Sequence, residues 1–287
     1  VTDRRLLLVH AHPDDETINN GVTMASYAAA GVDVTLVTCT LGEVGEILVP
    51  SLVELEWDKG DQLGGYRIGE LAAAMQALGV EDVRFLGGAG RFRDSGMMDT
   101  AANGHPRAFW RADSDPEVFA AAVGALVDVI EEVRPQVVIT YDERGGYGHP
   151  DHIMAHRVTM AAVAAAPTWR VPKVYWNAIA RSAMQANIDG MRAKGVTFFD
   201  LEDAADFDGV VDDGLITTEF TAPEWAAAKI EAMRAHASQI SVDGPFFALS
   251  NNLGREVWAV EQYRLVQGEA AEPFNANGHE TDLFAGI

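Results

Sequence analysis

The tripeptide His-Pro-Asp occurs twice in this chain, in His12-Pro13-Asp14-Asp15-Glu16 straight after an apolar run and in His149-Pro150-Asp151-His152 after a glycine-rich turn. Each copy offers metal-capable side chains at i and i+3, His12 with Asp15 and His149 with His152, and each puts proline where a helix can begin. A catalytic zinc-type centre needs about three protein ligands and an open position for water, a set that His12, Asp15 and His152 can supply. Asp14, adjacent to a ligand but free itself, suits a general base that removes a proton from the attacking water. His149 is then left for the carbonyl oxygen or the leaving nitrogen. Asp151 could orient and charge it, and the phenol of Tyr147 could add a hydrogen bond to the developing oxyanion. Gly145, Gly146 and Gly148 let the backbone bend so that these groups converge. The pattern points to a metal-dependent hydrolase.

Each copy alone has a plainer reading. Acidic residues in a first turn complement the helix dipole, and histidines at a helix start serve as caps or surface groups. Two copies, both at strand ends of one domain, favour a site. His10, inside the first strand, reads as a hydrogen-bonded core residue, while His105, His156, His236 and His279 have no comparable context.

The elements that must position these residues follow from periodicity. Leu6 to Val9 reads as a buried strand, Gly21 to Ala30 as a helix stopped by Gly31, and Val32 to Thr40 as a second strand. The alternation continues with a helix over Tyr66 to Leu78, a strand over Val83 to Leu86, a helix over Glu117 to Val133 and a strand over Val137 to Thr140. This order predicts an α/β fold of Rossmann-like type, a mostly parallel sheet with helices on both faces. Ligands in such folds gather beyond the carboxyl ends of the strands, where both motifs lie. The stretch Gly87 to Arg111 is too long for an ordinary connection and reads as a substrate loop. A strand over Val174 to Ala180 precedes a change of pattern: a helix around Met184 to Lys194, an acidic segment from Asp200 to Asp213, an alanine-rich helix over Ala222 to Ala237 and a strand-like segment from Glu256 to Leu265. The expected organisation is a catalytic domain over 1–180 and a smaller C-terminal α+β annex over 181–287 that helps close the pocket.

Composition narrows the function classes. With 43 acidic and 21 basic residues the net charge is −22, which argues against generic binding to nucleic acid or an anionic membrane and favours a neutral or cationic small substrate. Cys39 is the only cysteine, so an intrachain disulfide and a thiolate metal cluster are both excluded. A reducing cytoplasm is the expected compartment. The first residues run into a strand without a signal-peptide pattern, and no segment reaches the roughly 18 uninterrupted apolar residues of a spanning helix. Nothing in the sequence specifies an oligomeric state. A dinucleotide-binding protein would carry closely spaced glycines in the first strand-to-helix turn, but that turn holds Asp14, Asp15 and Glu16, which repel a pyrophosphate. A metal-held sugar-binding protein without turnover would need ligands but no spare base.

The two His-Pro-Asp segments together resemble the signature of the LmbE-like, or PIG-L-like, zinc deacetylases of N-acetylglucosaminides. Longer segments resemble the mycothiol-pathway branch of that family: Thr38 to Glu43, Asp61 to Leu71, Leu86 to Met97, Gly145 to Gly148 and Ala248 to Leu253. The resemblance covers nearly the full chain and is loosest between Ala183 and Asp213. It implies hydrolysis of the acetamide of N-acetylglucosaminyl-inositol, a small glycoside. It also implies zinc, or ferrous iron on the same donors, at His12, Asp15 and His152. Asp14 would be the base, His149 the acid or oxyanion stabiliser, Tyr147 a carbonyl-polarising group and Asp151 the partner of His149. Arg67 and Asp94 would hold sugar or inositol hydroxyls, with Met97 and Glu46 nearby in the pocket. The related mycothiol S-conjugate amidases tend to carry a lysine soon after the acidic motif. Thr17-Ile18-Asn19-Asn20-Gly21 has none, which favours the deacetylase.

Overall fold

The computed structural model describes residues 3–195, 203–250 and 254–287. The 251–253 part of the late segment quoted above, and the 200–202 start of the acidic segment, lie outside the described residues. The first strand, β1 (Arg5–His10), leads into α1 (Asp15–Ala29), followed by β2 (Asp33–Thr38), α2 (Leu63–Leu78), β3 (Asp82–Phe85), α3 (Pro116–Val133) and β4 (Val137–Thr140). A helical turn α4 (Gly145–Gly148) precedes α5 (Pro150–Ala165), then β5 (Lys173–Ala178), α6 (Arg181–Ala193), β6 (Thr218–Thr221) and α7 (Ala226–Ala235). Three short strands, β7 (Ser241–Asp243), β8 (Phe246–Ala248) and β9 (Gly254–Glu256), form a separate antiparallel sheet, and β10 (Val260–Gln267) follows.

The main sheet has the order β3-β2-β1-β4-β5-β10-β6. Its first five strands are parallel, and β10 runs antiparallel to both β5 and β6. Residues 181–287 therefore share this sheet with residues 1–180. Successive residues of a strand face opposite sides, and β1 uses both: Leu6 and Leu8 enter one apolar core, Leu7 and Val9 the other. The first core is covered by α1, α2 and α7 through Val22, Met24, Leu71, Met75 and Ala232. The second is covered by α3 and α5 through Leu126, Ile130, Met154 and Val158. A strand buried on both faces has to be apolar throughout, which is why β1 and β4 read as continuous runs. The chain order reverses between β1 and β4, and such a switch point opens a crevice at the carboxyl ends of the strands. Both His-Pro-Asp segments emerge there.

The first helix differs from the sequence expectation. It begins at Asp15 rather than near Gly21, with non-helical angles at Asn20 (φ −133°, ψ 15°). A kink frees backbone donors, and Glu261 of β10 accepts the N–H groups of Val22 and Thr23 at 3.0 and 2.9 Å. Gly21 sits under Lys229 of α7, where a Cβ would lie 2.7 Å from Lys229 Cγ. Lys229 in turn pairs with Glu261 at 2.6 Å. The C-terminal segment thereby braces the helix that carries the first motif. Among the described residues no helix is long and apolar enough to cross a membrane.

Candidate metal and catalytic site

Beyond β1, the chain turns at Pro13 and enters α1. His12 Nδ1, Asp15 Oδ2 and His152 Nε2 form a triangle with all three sides 3.3 Å. Donors bonded at about 2.0–2.1 Å to a tetrahedral cation stand about 3.4 Å apart, so the three atoms have the spacing of one face of such a centre. The ring tautomers also fit. His152 Nδ1 lies 3.2 Å from the Gly145 carbonyl, to which it can only donate, leaving Nε2 as the free lone pair. His12 Nε2 lies 3.2 Å from Asp151 Oδ2, leaving Nδ1 free. A metal-bound histidine with its other N–H on a carboxylate or carbonyl is the usual outer-shell arrangement. Gly145, at φ 64°, permits the close approach, since a Cβ there would lie 2.7 Å from His152 Cβ.

The charges in this buried cluster are those of a site that can take a cation. Burial works against a charged His12, but Asp94, Asp15 and Asp151 raise its pKa well above the ordinary histidine range. Burial likewise opposes ionisation of Asp15, yet His152 and His12 hold its carboxyl well below the usual range. Without a metal, protons on imidazole must balance these carboxylates; a divalent ion at the triangle would displace them. Tyr141, just beyond β4, donates to Asp15 Oδ2 at 2.7 Å, while its oxygen accepts the Ala11 N–H at 2.9 Å. His10 is buried beside Tyr141 and Asn20, at 3.2 and 2.7 Å.

Asp14 lies next to the triangle in a different state. Its backbone is left-handed, at φ 129° and ψ −35°, a conformation that costs a non-glycine residue about 1–3 kcal/mol. Its Oδ2 accepts from Arg67 Nη2 at 2.9 Å, its N–H donates to Glu16 Oε2 at 2.9 Å, and its carbonyl accepts the N–H groups of Thr17 and Ile18. Burial pushes the Asp14 carboxyl up to about 6, with Arg67 opposing and Asp15 adding to the rise. That value suits a base working near neutral pH.

His149 caps α5, accepting the Asp151 N–H on Nδ1 at 3.2 Å. An imidazole that accepts on Nδ1 carries its proton on Nε2. Burial, then the neighbouring His12 and His152, depress its pKa to about 2, so the ring is neutral and a hydrogen-bond donor. One ring nitrogen of His149 lies within 4.8 Å of those of His12 and His152. The Asp151 carboxylate faces His12 and the Ser95 N–H (2.8 Å), not the His149 ring. Tyr147 stands at the mouth, 45% exposed, its ring centre 5.1 Å from that of His152.

The sugar-contact positions divide. Arg67 is buried, with Nη1 donating to the Gly42 carbonyl and Nη2 to Pro13 and Asp14; its Nε has no partner among the described residues. Asp94 is buried, accepts the N–H groups of Val44 and Gly96, and comes within 3.6 Å of His12 Nε2. Met97 and Glu46 are exposed on the loops that Asp94 ties together. Sequence reasoning missed three residues: Tyr141, which holds Asp15; Glu43, which accepts the Asp94 N–H at 2.9 Å; and His236, which lies 2.9 Å from Glu16 Oε1. Burial opposes both charges of that last pair, but Glu16 raises His236 and His236 lowers Glu16. No local signal marks His236 or Tyr141, because their partners lie 220 and 126 residues away.

A family model described as GlcNAc-PI de-N-acetylase, PIG-L, matches residues 7–163, which contain both motifs. The chain belongs to the PIG-L family. Two relatives carry the name 1D-myo-inositol 2-acetamido-2-deoxy-alpha-D-glucopyranoside deacetylase: one from Geodermatophilus obscurus, 59% identical over 99% of this chain and 98% of its own length, and one from Acidothermus cellulolyticus, 60% identical over 99% and 95%. Among solved structures, the N,N'-diacetylchitobiose deacetylase of Pyrococcus horikoshii aligns over 92% of this chain and 84% of its own with a TM-score of 0.54 at 18% identity. That likeness is one of fold. As a member of the PIG-L family the chain is a deacetylase, and the three-donor triangle lies within its family-matched segment.

Proposed function

We propose that this chain removes acetate from N-acetylglucosaminyl-inositol, the 1D-myo-inositol 2-acetamido-2-deoxy-alpha-D-glucopyranoside of its relatives' names, giving glucosaminyl-inositol for mycothiol synthesis. The observation that carries the reading is the 3.3 Å triangle of His12, Asp15 and His152 with an unused carboxylate, Asp14, beside it. Zinc is the cation proposed there, with ferrous iron suited to the same donors; when bound, it would polarise the acetamide carbonyl and acidify water. Asp14, with a pKa near 6, is ionised at neutral pH, takes the proton of the attacking water and can return it to the amide nitrogen as the C–N bond breaks, releasing acetate and the free amine. Arg67 holds the Asp14 carboxylate in a fixed orientation. The Nε2–H of His149 donates to the oxygen that gains negative charge, and Tyr147 adds a second donor from the mouth. Asp151 acts through His12, fixing its tautomer. In the substrate pocket, Arg67 and Asp94 shape the wall, with Met97 and Glu46 on its exposed rim.

The domain division is part of the same proposal: residues 1–180 supply the metal ligands and the base, and 181–287 close and brace the pocket. A cytoplasmic small-molecule enzyme fits the lone, buried Cys39. The test is acetate release by metal-loaded protein from N-acetylglucosaminyl-inositol, N-acetylglucosamine and a mycothiol S-conjugate. The first is expected to turn over fastest. Turnover of the conjugate without release from the first would replace the proposal with an amidase.

A further inference from the structure

The base position is held by a side-chain pair that joins two helix ends. Glu16 lies in the first turn of α1, fully buried, and divides its two oxygens: Oε2 accepts the Asp14 N–H at 2.9 Å, while Oε1 faces His236 Nε2 at 2.9 Å and accepts from Thr17 Oγ1 at 2.7 Å. His236 is also fully buried and forms the C-terminal cap of α7, its N–H bonding to the Met233 carbonyl. Its Nδ1 has no hydrogen-bond partner among the described residues, so Glu16 is the ring's polar anchor. The two helix dipoles favour this polarity, with the acid at an N-terminus and the base at a C-terminus. A buried pair is weak support for overall stability but strongly resists loss of one partner, because the other is left uncompensated.

This pair bears on the strained residue of the site. A left-handed aspartate reverts to an ordinary conformation unless its surroundings hold it, and the Asp14 N–H bond to Glu16 is one of its clamps, beside Arg67 on the carboxylate and the Thr17 and Ile18 N–H groups on its carbonyl. We infer that His236 is a positioning residue for the reaction: by fixing Glu16, it locks the Asp14 backbone in the left-handed conformation that turns its carboxylate toward the attacking water. The inference rests on Asp14 being the base. It assigns to the C-terminal segment a part in the chemistry that none of its own residues performs directly.

The experiment uses the full-length, metal-loaded protein with His236→Leu and His236→Gln, each alone and with Asp14→Asn. His236→Leu is expected to lower kcat on the order of 10²-fold, the scale of a misplacement of about 1 Å at a reacting group, with KM and bound metal unchanged. His236→Gln, whose amide N–H can replace the Nε2 donor, should restore most of that loss. In the Asp14→Asn background His236→Leu should cost nothing more, since both changes remove one function. Hydrogen exchange at the Asp14 amide should also speed up in His236→Leu, a readout independent of turnover. Unchanged kcat and exchange in a folded His236→Leu, or an equal loss in the Asp14→Asn background, overturns the inference. If His236→Leu does not fold, His236→Asn carries the test, because its shorter amide does not span the distance to Glu16 Oε1: unaltered kcat and Asp14 exchange there overturns it too. Near-normal turnover of Asp14→Asn alone instead removes the base assignment, leaving the exchange result to report the clamp by itself.

Discussion

His12-Pro13-Asp14-Asp15 and His149-Pro150-Asp151-His152 share three residue types in the same order, yet the structure gives matching positions different surroundings. The cause is helix register. The second copy starts its helix at Pro150, so His149 is the cap, in an extended conformation at φ −64° and ψ 130°. The first copy starts its helix at Asp15, so the cap is Asp14, two positions later, at φ 129°. His12 consequently lies outside the helix and turns Nδ1 to the triangle, whereas His149 spends Nδ1 on the Asp151 N–H. Asp14 faces Arg67, and Asp151 is buried against His12. Only the fourth positions, Asp15 and His152, do the same thing. A short motif thus specifies ligand-capable residue types, and the point at which the helix begins decides which of them converge on the triangle.

The largest expected effect separates the two aspartates. Asp14→Asn should retain bound metal and lose about 10²–10⁴-fold in turnover, the scale of a positioned base; a variant with near-normal turnover would leave Asp14 no different from a helix cap. The same assignment fixes the pH dependence. A base must be ionised, so with its carboxyl near 6, kcat/KM should fall as pH drops through about 6. An acidic limb centred near 4 would mean that Asp14 is solvated in the working enzyme. The two histidines of the second copy should separate next. His152→Ala is expected to lose metal by elemental analysis. His149→Ala should keep it and lose about 10²–10³-fold in kcat, as for removal of one oxyanion donor. Equal metal loss in both would make His149 a fourth ligand.

Much of this is legible in the sequence. Apolar runs located β1 and β4, because strands buried on both faces tolerate little else, and the motifs following them located the crevice. Local pattern failed where distant groups decided the outcome. Periodicity places the first helix over Gly21 to Ala30; Glu261, 239 residues from Val22, supplies the acceptor beside the kink through which α1 runs from Asp15. The left-handed angle at Asp14 has no clear signature either: aspartate visits that region only occasionally, and neither of the two adjacent aspartates is marked by its neighbours as the one that adopts it. Resemblance points to Arg67 and the second motif itself to Asp151, but the partners they meet, Asp14 and His12, are a matter of three-dimensional approach.

A smaller effect tests the second aspartate. Asp151→Asn should weaken metal binding about 10–100-fold, the usual consequence of altering a carboxylate that orients a ligating histidine. Competition with a chelator measures it directly. If affinity is unchanged while the pH dependence of turnover moves, Asp151 acts on His149 and the His12 contact is incidental.

The smallest effect isolates the backbone asymmetry from the chemistry. Asp14→Ala and Asp14→Gly both remove the carboxylate, the Arg67 contact and the repulsion from Asp15, so their difference reports the backbone, the cost of the left-handed conformation set against the freer unfolded chain of glycine. Glycine adopts it freely, and Asp14→Gly should be the more stable of the two by about 1–3 kcal/mol in denaturant unfolding of the metal-free proteins, less whatever the more flexible unfolded chain of the glycine variant offsets. At position 151, in the first turn of α5 with ordinary helical angles, the order should reverse, and alanine should exceed glycine by up to about 1 kcal/mol. Equal stability of the Asp14 pair, or the same sign at both positions, would mean that the two copies of the motif do not differ in backbone register, and the division of roles between them would have to come from side chains alone.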